Sequence, residues 1–463
     1  MPLPVRKPLS VRKPLSDRRP WLAVARAWGA VLRSRTRLPP GELIDIGEHE
    51  RAHRRLLIDL AARHGPIFKG LMERKLVVCV VGHSLGRRLL KEHAASLSAV
   101  SIALESLFAH GFMRKMEGET HRRYRRALVQ GLYGLDPKGC TARFEAIAAQ
   151  ALSAHADGDR MDGDRVDGDR VDGDRVDGDR VDGAAPVWAD TLAHIAASAL
   201  ITFFFGPQPG SAGHQRLMAA YRRLGPHGVV WQITGRQAEA YRALVAEVQA
   251  LGPEAGGLLG RLQAQEDFDE TLLGNLIYMV ELGRYDLRGL MRWISRYAAD
   301  HPAWLERIAL ERLALRPSDG GATVAEAFVQ ETLRMDQSER LMREVRRDIV
   351  FDGWLIPRGS LVRVCLWEAH KDPQAFAQPF EFDPGRFLGG ASQGDRFSPF
   401  GLDHHHCPLA AVSVQIAVAF LRALARDYAL RAQGADPAVR GPYHWEPSPR
   451  FQVSLTHRVS ARS

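Results

Sequence analysis

Apolar residues recur at helical spacing through most of the chain, so that each segment has one apolar face and one polar face. This spacing predicts long helices around residues 116–132, 188–205, 235–250, 270–299, 302–315 and 322–335, and a last long helix that begins at Pro408. Helical segments dominate the chain. The pattern therefore predicts a mainly α protein with minor β structure, built as a single large domain.

Two short regions have the composition of strands instead. The segment Phe68–Val81 carries β runs broken by Gly70 and closed by Gly82, which predicts a small sheet early in the chain. A strand pair is predicted across Ile349–Trp367, with its turn at residues 356–359. Both regions are short beside the helical segments, so the fold class stays mainly α.

Two short repeats show neither the periodicity of a helix nor that of a strand. The hexapeptide VRKPLS occurs twice within residues 5–16 and predicts a basic, disordered tail over residues 1–37. The pentapeptide D-G-D-R-[MV] occurs five times over residues 157–181 and predicts a low-complexity insertion, residues 157–183, between two helices. Its D-G-D rhythm admits calcium, but it lacks the bidentate Glu of an EF-hand loop and the period of calcium-binding nonapeptides. The folded domain is predicted over residues 38–463.

The formal net charge of +9 admits nucleic acid or an acidic protein as a partner. Much of the excess lies in the tail, and no basic stripe with interleaved aromatic residues is present, so nucleic acid is not expected. No apolar run reaches the roughly 18 residues of a membrane span. The apolar stretch Trp21–Leu32 is interrupted by Arg26 and lacks a signal-peptide cleavage site. We therefore expect a cytoplasmic monomer that binds no membrane.

The four cysteines, Cys79, Cys140, Cys365 and Cys407, are scattered without a C-x-x-C pair. This spacing is typical of a reducing compartment and argues against a disulfide framework or a zinc knuckle. Cys407 differs from the others because a Gly/Pro-containing loop precedes it and the last predicted helix follows it, with Pro408 at the first helical position. The dipole and free N–H groups at the start of that helix would stabilise a thiolate at Cys407.

Two other interpretations of this loop are weaker. The run His404–Cys407 offers metal ligands, but adjacent side chains cannot all converge on one tetrahedral ion. The segment also superficially resembles the D-H-H-C element of membrane palmitoyltransferases, which need spanning helices and a Cys-rich domain that this sequence lacks. A lone cysteine in a loop is usually inert, so a functional interpretation of Cys407 needs support from the rest of the chain.

The loop resembles the signature F-x-x-G-x-[HR]-x-C-x-G of the cytochrome P450 superfamily, with Phe400, His405 and Cys407 at matching positions. Asp403 and Leu409 stand where the family has glycine, which puts the loop geometry in doubt but not the ligand. The resemblance implies the cytochrome P450 fold and a haem b (iron protoporphyrin IX) whose iron is bound by the Cys407 thiolate.

Other segments resemble family motifs in the same order. Glu331-Thr-Leu-Arg334 matches the family's E-x-x-R, and the spacing places both side chains on one helical face. Arg386, within Phe382–Phe387, resembles the Arg of the family's P-x-R-F segment and would complete a structural Glu-Arg-Arg cluster. The stretch His370–Pro373 resembles the N-R-D-P segment that precedes it.

The resemblance also implies residues for the haem propionates. His121 and Arg125 lie one turn apart on the helix that begins near Gly118, although a solvated basic face is the simpler interpretation of those two residues alone. Arg343 and His405 are further candidates. Two buried anionic groups need such cationic partners.

The helix that should face the haem departs from the family pattern [AG]-G-x-[DE]-T. Aligned on Trp293, Gly283 matches the Gly, Tyr285 the acid and Asp286 the Thr, and no Thr lies between Thr271 and Thr323. The expected catalytic residues are therefore Asp286, Tyr285 and Gly283, with Asp286 relaying protons. Peroxide-driven or non-oxygenative chemistry is the alternative, with Arg284 or Arg288 holding a substrate carboxylate. Helix-surface ion pairing is the structural interpretation of those arginines, and a haem sensor or degenerate enzyme is a third possibility.

The resemblance implies a monooxygenase that inserts one oxygen atom of O2 into a small organic substrate, which we expect to belong to secondary metabolism. No flavin or nicotinamide fingerprint occurs in the chain, so electrons would come from a separate ferredoxin or flavodoxin with its reductase. Substrate contacts are expected from residues 98–112, 203–231 and 443–451 and from the strand after the E-x-x-R helix. The first of these regions is apolar, which permits an aromatic or lipid-like substrate but does not select one.

Overall fold

The computed structural model describes residues 29, 31, 36–72, 74–100, 106–107, 111–163, 187–225, 233–252, 256–311, 321–337, 341–390, 394–403, 406–434, 437–441 and 444–458. Most of the predicted tail, residues 164–183 of the predicted insertion, and His405 lie outside them. The described chain forms two compact units. The first comprises residues up to Val100 together with Leu341–Glu368, and the second comprises Ser101–Arg340 and Ala369–Ser463.

The first unit carries the main sheet. Its helices are α1 (Ile46–Ala52), α2 (Leu56–His64) and α3 (His83–Glu92), and its strands are β1 (Ile67–Met72), β2 (Lys75–Val81), β3 (Leu97–Ala99), β4 (Leu341–Val345), β5 (Ile349–Phe351), β6 (Trp354–Ile356) and β7 (Leu361–Cys365). The sheet has the order β1-β2-β7-β4-β3. Only the β2–β7 pair is parallel. All five residues of β7 are buried, as expected for a central strand.

Two details of the predicted strands are wrong. Gly70 does not break the first β run but lies within β1, where a Cβ would meet the Ile46 side chain at 2.5 Å. The predicted turn at residues 356–359 joins β6 to β7, yet these two strands do not pair with each other. Instead β5 pairs with β6 around Asp352 and Gly353, and β7 enters the main sheet.

The second unit is mainly helical. Its helices are α4 (Gly118–Leu132), α5 (Thr141–Gly163), α6 (Trp188–Phe205), α7 (Ala212–Leu224), α8 (Gly235–Gln249), α9 (Gly257–Gln263), α10 (Glu270–Asp300), α11 (Pro302–Glu311), α12 (Val324–Thr332) and α14 (Ala410–Asp427), and the short α13 (Leu366–Ala369) joins the units in sequence. A π-helical turn, Leu333–Gln337, follows α12. Two antiparallel ribbons complete it, β8 (Tyr428–Gln433) with β11 (Gln452–His457) and β9 (Val439–Arg440) with β10 (Trp445–Glu446).

The core of this unit is built around α10, a helix of 31 residues that is mostly buried and packs along α6. The aromatic end of α6, Phe203–Phe205, belongs to the same core. By length and composition α6 has 18 residues apolar enough to cross a membrane, so the expectation that no segment reaches that length is wrong. However, 78% of its residues are buried inside the protein, which is the position of a core helix.

The mainly α fold class with small sheets is confirmed. The predicted helices occur within a few residues of their expected bounds. One boundary is shifted in α5, because that helix continues through Gly163 and so includes residues 157–163 of the predicted insertion. A second boundary is shifted in the last helix, which begins at Ala410 rather than at Pro408. The prediction of a single large domain stays a prediction.

Candidate functional site

The loop before α14 holds Cys407 by its backbone. The Cys407 N–H donates to the carbonyl oxygen of Phe400 at 2.9 Å, and the His406 N–H donates to that of Asp403 at 2.9 Å. The side chain of Leu402 is buried beneath the loop. These contacts fix the backbone on both sides of Cys407, whose side chain is only partly buried.

The two departures from glycine do not prevent this geometry. Asp403 has φ 49°, in the left-handed region, so the loop takes the glycine-like conformation with an aspartate. Aspartate tolerates this region better than most residues because its short polar side chain can bond locally. Leu409 has φ −105°, which any residue adopts, and its side chain is buried. A glycine is therefore not required at Leu409.

The electrostatics of Cys407 arise from three groups besides its burial. Burial raises the pKa of the Cys407 thiol to about 11, the N–H of Leu409 and the guanidinium of Arg125 lower it, and the carboxylate of Asp286 raises it. The prediction that Pro408 occupies the first helical position is wrong, because the helix starts two residues later. The expected N–H stabilisation is supplied by Leu409, the residue that precedes α14.

Arg125 lies beside the Cys407 loop on α4. Its Nη2 donates to the carbonyl oxygen of His406 at 3.0 Å. Burial lowers the pKa of Arg125 and the nearby Cys407 raises it. No carboxylate partner of Arg125 occurs in the described part of the chain. A half-buried guanidinium with free donors fits an anionic group bound at this loop. His121 lies one turn earlier on α4 and is partly buried, and its role toward a propionate stays a prediction.

The structure brings Glu331, Arg334 and Arg386 together as predicted. Arg334 forms two hydrogen bonds to the Glu331 carboxylate, Nε to Oε2 at 2.7 Å and Nη2 to Oε1 at 2.8 Å. Arg386 Nε lies 3.4 Å from Glu331 Oε1. The side chains of Glu331 and Arg334 are fully buried. Such a cluster, bidentate and buried, fixes the end of α12 to the segment that leads to the Cys407 loop.

His370 and Lys371 tie that segment down further. Arg334 Nη1 donates to the carbonyl oxygen of His370 at 3.0 Å, and Lys371 Nζ donates to the carbonyl oxygens of Arg334 and Met335, each at 3.0 Å. His370 Nε2 accepts from the N–H of Ser398 at 3.1 Å. The stretch that resembles N-R-D-P therefore connects the buried cluster to the start of the Cys407 loop.

Asp286 is the exposed residue on the middle of the buried helix α10. Its side chain is 58% exposed, although both sequence neighbours are buried. Its carboxylate nevertheless acts on the Cys407 sulfur. Asp286 is therefore an exposed acid on α10 whose negative charge raises the pKa of the Cys407 thiol.

Tyr285 and Gly283 have other surroundings than expected. The Tyr285 hydroxyl donates to Glu446 Oε1 at 2.7 Å, and burial followed by the Glu446 charge raises its pKa. A phenol held in this way is a poor proton donor for catalysis, so the structure does not support Tyr285 as a relay. A Cβ on Gly283 would lie 3.1 Å from Leu200 Cδ1, which means that Gly283 allows α10 to approach α6. A catalytic role of Gly283 stays a prediction.

The two arginines proposed for a substrate carboxylate are occupied within the protein. Arg284 bonds to Glu281 at 2.9 Å and donates to the carbonyl oxygens of Tyr221 and Gly225 at the end of α7. Arg288 lies 3.7 Å from Glu446 Oε2. The pairing of Glu281 with Arg284 has the predicted spacing but is buried, not on the helix surface. Each arginine thus has a carboxylate partner, but the buried Nε of Arg288 has no hydrogen-bond partner in the described part of the chain.

Sequence reasoning missed a network between α10 and the β9–β10 ribbon. Glu446 accepts from Arg292 Nη1 at 2.9 Å, and Arg292 Nη2 also donates to the carbonyl oxygens of Pro447 and Ser448. His444 Nε2 lies 3.8 Å from Asp286 Oδ1. The pKa of Glu446 is lowered, because His444 and the arginines together outweigh the larger single effect of burial. An acid within the apolar stretch Trp445–Pro447 was the available signal.

Two predicted cofactor residues have no described position beside Cys407. Arg343 lies on β4 in the first unit, where it is buried and its Nη1 donates to the carbonyl oxygen of Met342 at 2.9 Å. His405 is outside the described residues. Phe400 is partly buried, and its ring lies 6.2 Å from that of His406. Haem contacts of Arg343, His405 and Phe400 stay predictions.

These observations fit a haem at Cys407. The Cys407 thiol is partly buried, and burial raises its pKa to about 11, so a bound metal cation would favour its thiolate form. Arg125 has N–H donors available for a propionate. Asp286 is an exposed acid on α10. In the described part of the chain, no cluster of three or more His, Cys, Asp or Glu residues offers a metal site of another kind.

Comparison with known proteins agrees with this site. Residues 323–423, about a fifth of the chain, match the family model of cytochrome P450. The matched segment contains Glu331, Arg334, Arg386 and Cys407. It therefore covers both the buried cluster and the Cys407 loop.

Curated relatives match a part of the chain. It is 28% identical to abscisic acid 8'-hydroxylase 1 of Arabidopsis thaliana over 218 residues, which cover 43% of this chain and 46% of that protein. It is 27% identical to ent-kaurenoic acid oxidase 1 of Hordeum vulgare over 258 residues, which cover 48% of this chain and 51% of that protein. The chain thus spans about half the length of the curated relatives that it matches.

The fold likeness extends further. The retinoic acid-bound structure of cyanobacterial CYP120A1 matches with a TM-score of 0.69 at 18% identity, covering 91% of this chain and 100% of that one. At this identity the match shows the cytochrome P450 fold. That fold carries haem b on a cysteine thiolate, and Cys407 is the cysteine in this place. The family model, the relatives and the fold agree with the residues: the chain resembles the cytochrome P450 superfamily over residues 323–423 and has its fold.

Proposed function

We propose that this protein is a haem-thiolate monooxygenase that inserts one oxygen atom of O2 into a small organic substrate. One observation carries the proposal: Asp286 is an exposed acid on the mostly buried helix α10, and its charge raises the pKa of the Cys407 thiol. The haem, when bound, supplies the iron at which O2 is activated, and thiolate donation favours cleavage of the O–O bond. An acid on the facing helix can deliver the protons that this reduction consumes.

The roles of this chain's residues follow from their contacts. Cys407 would hold the iron, with the Leu409 N–H moderating the charge on its sulfur. Arg125, and His121 one turn away, would bind a propionate. Asp286 would hold and release a proton at its carboxylate. The buried cluster of Glu331, Arg334 and Arg386 keeps the Cys407 loop in place and touches no substrate.

An apolar organic acid is the substrate class that we favour. The relatives are named for abscisic acid and ent-kaurenoic acid, and the structural neighbour holds retinoic acid. In this chain an apolar cluster lies one turn from Asp286: Phe112 packs edge-on against Tyr278 with ring centroids 4.1 Å apart, and Leu282 packs against them. That cluster suits the apolar body of such a substrate. Arg284 of α10 is bound to Glu281 and to two carbonyl oxygens, so it does not supply a carboxylate partner. Arg288 keeps a buried Nε without a hydrogen-bond partner in the described part of the chain and is the candidate for that contact.

Electrons would come from a separate acidic ferredoxin or flavodoxin that docks on a basic surface near the Cys407 loop. The α4 helix carries the exposed residues Arg122 and Arg126, and its Arg125 contacts the Cys407 loop. This basic surface beside the loop suits an acidic donor. Charge reversal at Arg126 is expected to slow reduction at low salt and to have little effect at high salt, because exposed charges are then screened.

Turnover with a reduced donor tests the monooxygenase directly. Ferredoxin or flavodoxin, reductase and O2 are expected to give hydroxylated product from an apolar acid, and Asp286→Asn is expected to lower that rate by about 10²-fold. Asp300→Asn is the matched control, since Asp300 lies at the exposed end of the same helix in an ion pair with Arg296. Product that forms only with added peroxide, and equally well in Asp286→Asn, would contradict the proposal.

A further inference from the structure

His444 is a buried titratable residue that the proposed function does not use. It immediately precedes β10 and is 3% exposed. Its Nε2 lies 3.8 Å from Asp286 Oδ1, and its Nδ1 lies 3.2 Å from the carbonyl oxygen of Trp445. A carbonyl oxygen only accepts hydrogen bonds, so this contact assigns the proton of the neutral ring to Nδ1. The nitrogen that faces Asp286 is then the basic one.

Two carboxylates lie near His444. Its Nε2 is 3.8 Å from Asp286 Oδ1, and its charge, with those of the arginines, lowers the pKa of Glu446. From α10, the Tyr285 ring lies 5.0 Å from the His444 ring, and its hydroxyl is bound to Glu446. Glu446 on β10 is balanced by Arg292 at 2.9 Å and by Arg288 at 3.7 Å.

The remaining charged groups near the ribbon lie on β9 and on the π-helical turn that packs against β10. Arg440 lies on β9, opposite Trp445 in the ribbon. On the turn, Arg334 is bound to Glu331, and Asp336 accepts from the Tyr297 hydroxyl. Both charges on the turn therefore have other partners.

The two ends of the pair differ in their surroundings. His444 is enclosed, whereas Asp286 is 58% exposed and its charge reaches the Cys407 sulfur. An ion pair with one exposed member contributes little to stability, so stability alone does not account for this pair. A buried base behind an exposed acid is the arrangement that sets the protonation and orientation of the acid.

We propose that His444 is a positioning residue that orients Asp286 and exchanges a proton with it, so that an acid–imidazole pair serves where this chain lacks the threonine. This inference rests on the proposed function. The O–H bond of Asp286 breaks as an N–H bond forms at His444 Nε2, giving carboxylate and imidazolium, and the reverse step returns the proton. The atoms close from 3.8 Å to about 2.6–3.2 Å, or act through one water, for the transfer.

Pairing is tested first by ring nitrogen NMR of the carbon monoxide-bound, reduced enzyme labelled with ¹⁵N-histidine. The chain has 18 histidines, and His444→Asn identifies the His444 signals by their loss. Replacing Asp286 by Asn removes an anion that favours imidazolium, so the titration midpoint of His444 is expected to fall by about one pH unit. An unchanged midpoint would overturn the pairing, whatever the activity of the enzyme.

The role is tested by the yield of product per electron pair consumed. His444→Asn and His444→Gln are both expected to lower this yield about tenfold, at the low end of effects on proton transfer, with unchanged haem content and carbon monoxide spectrum. Gln can donate a hydrogen bond to Asp286 but cannot exchange a proton, so full rescue by Gln would overturn proton exchange. His457→Asn, an exposed histidine on β11, is the control and should have no effect.

The two proposals fail in different ways. If product forms but the titration midpoint of His444 is the same in Asp286→Asn, the pair is overturned and the proposed monooxygenase activity is not. A His444 midpoint that responds to Asp286, in an enzyme that forms no product with any reduced donor, supports the pair and removes the monooxygenase.

Discussion

At the scale of single residues, Asp403 shows how the Cys407 loop accommodates a missing glycine. Its φ of 49° is the only left-handed non-glycine conformation in the described part of that loop. We expect Asp403→Gly to retain haem fully and Asp403→Val to lower haem content, because a β-branched residue at positive φ costs about 1–3 kcal/mol. Asp395→Val, in an exposed turn outside the left-handed region, is the control. Equal haem content in both valine variants would contradict this interpretation.

Glu331 is the residue whose loss should cost most in stability. It is fully buried and is the common carboxylate partner of Arg334 and Arg386. Glu331→Gln is expected to lower the free energy of unfolding by about 3–5 kcal/mol, since it leaves buried positive charge without a counter-charge. Urea unfolding measures this, and Glu119→Gln, which breaks the exposed pair with Arg122, should leave the free energy of unfolding nearly unchanged. Similar losses in the two variants would be inconsistent with the cluster described.

The site residues differ in how far sequence could predict them. Cys407, Glu331, Arg334 and Arg386 lie in motifs with fixed local spacing, so they can be placed from sequence. His444 and Glu446 contact α10 from a ribbon far along the chain; Tyr285 and Glu446 are separated by 161 residues. No spacing rule relates those segments. The buried position of Arg284 was likewise not predictable, because helical spacing alone does not separate a core face from a polar face that carries paired charges.

At the scale of elements, α10 is anchored by charge as well as by apolar packing. Arg284 joins the helix to the end of α7 through the carbonyl oxygens of Tyr221 and Gly225, and its charge is balanced by Glu281. Arg284→Met is expected to lower the free energy of unfolding by about 3–5 kcal/mol, since Glu281 stays buried without the charge of Arg284 beside it. The double variant Glu281→Gln/Arg284→Met should recover part of this loss in urea unfolding. An unchanged stability with a large rise in KM for an acidic substrate would mean that Arg284 binds substrate instead.

The helices were predictable and the sheet pairing was not, for a physical reason. Long amphipathic helices are defined by local periodicity, and α6 and α10 were placed within one residue. The parallel pairing of β2 with β7 joins Val77 to Leu361, and local pattern does not report partners so far apart. For the same reason the pairing of β5 with β6 was not predicted. The turn residues 356–359 were interpreted as joining two paired strands, whereas they join β6 to β7.

At the scale of the whole molecule, two segments distant in sequence build one unit. Residues up to Val100 and Leu341–Glu368 share the main sheet, whereas periodicity alone suggested one continuous helical body. The pentapeptide repeat adds length without a predicted role in haem binding. Deletion of three repeat units, residues 167–181, is therefore expected to leave haem content and the unfolding midpoint unchanged. Haem loss on deletion, measured against a glycine–serine replacement of equal length, would show that the repeat takes part in the fold.

Thiolate ligation by Cys407 is the central claim, and one spectrum tests it most directly. The purified protein is reduced, carbon monoxide is added, and the Soret band is recorded for the unaltered protein and for Cys407→Ala, with Cys140→Ala as the control for a partly buried cysteine elsewhere. We predict a strongly red-shifted band that Cys407→Ala abolishes and Cys140→Ala retains, because thiolate donation alters the electronic structure of the haem. An unshifted band, or a shifted band that survives Cys407→Ala, would contradict the account.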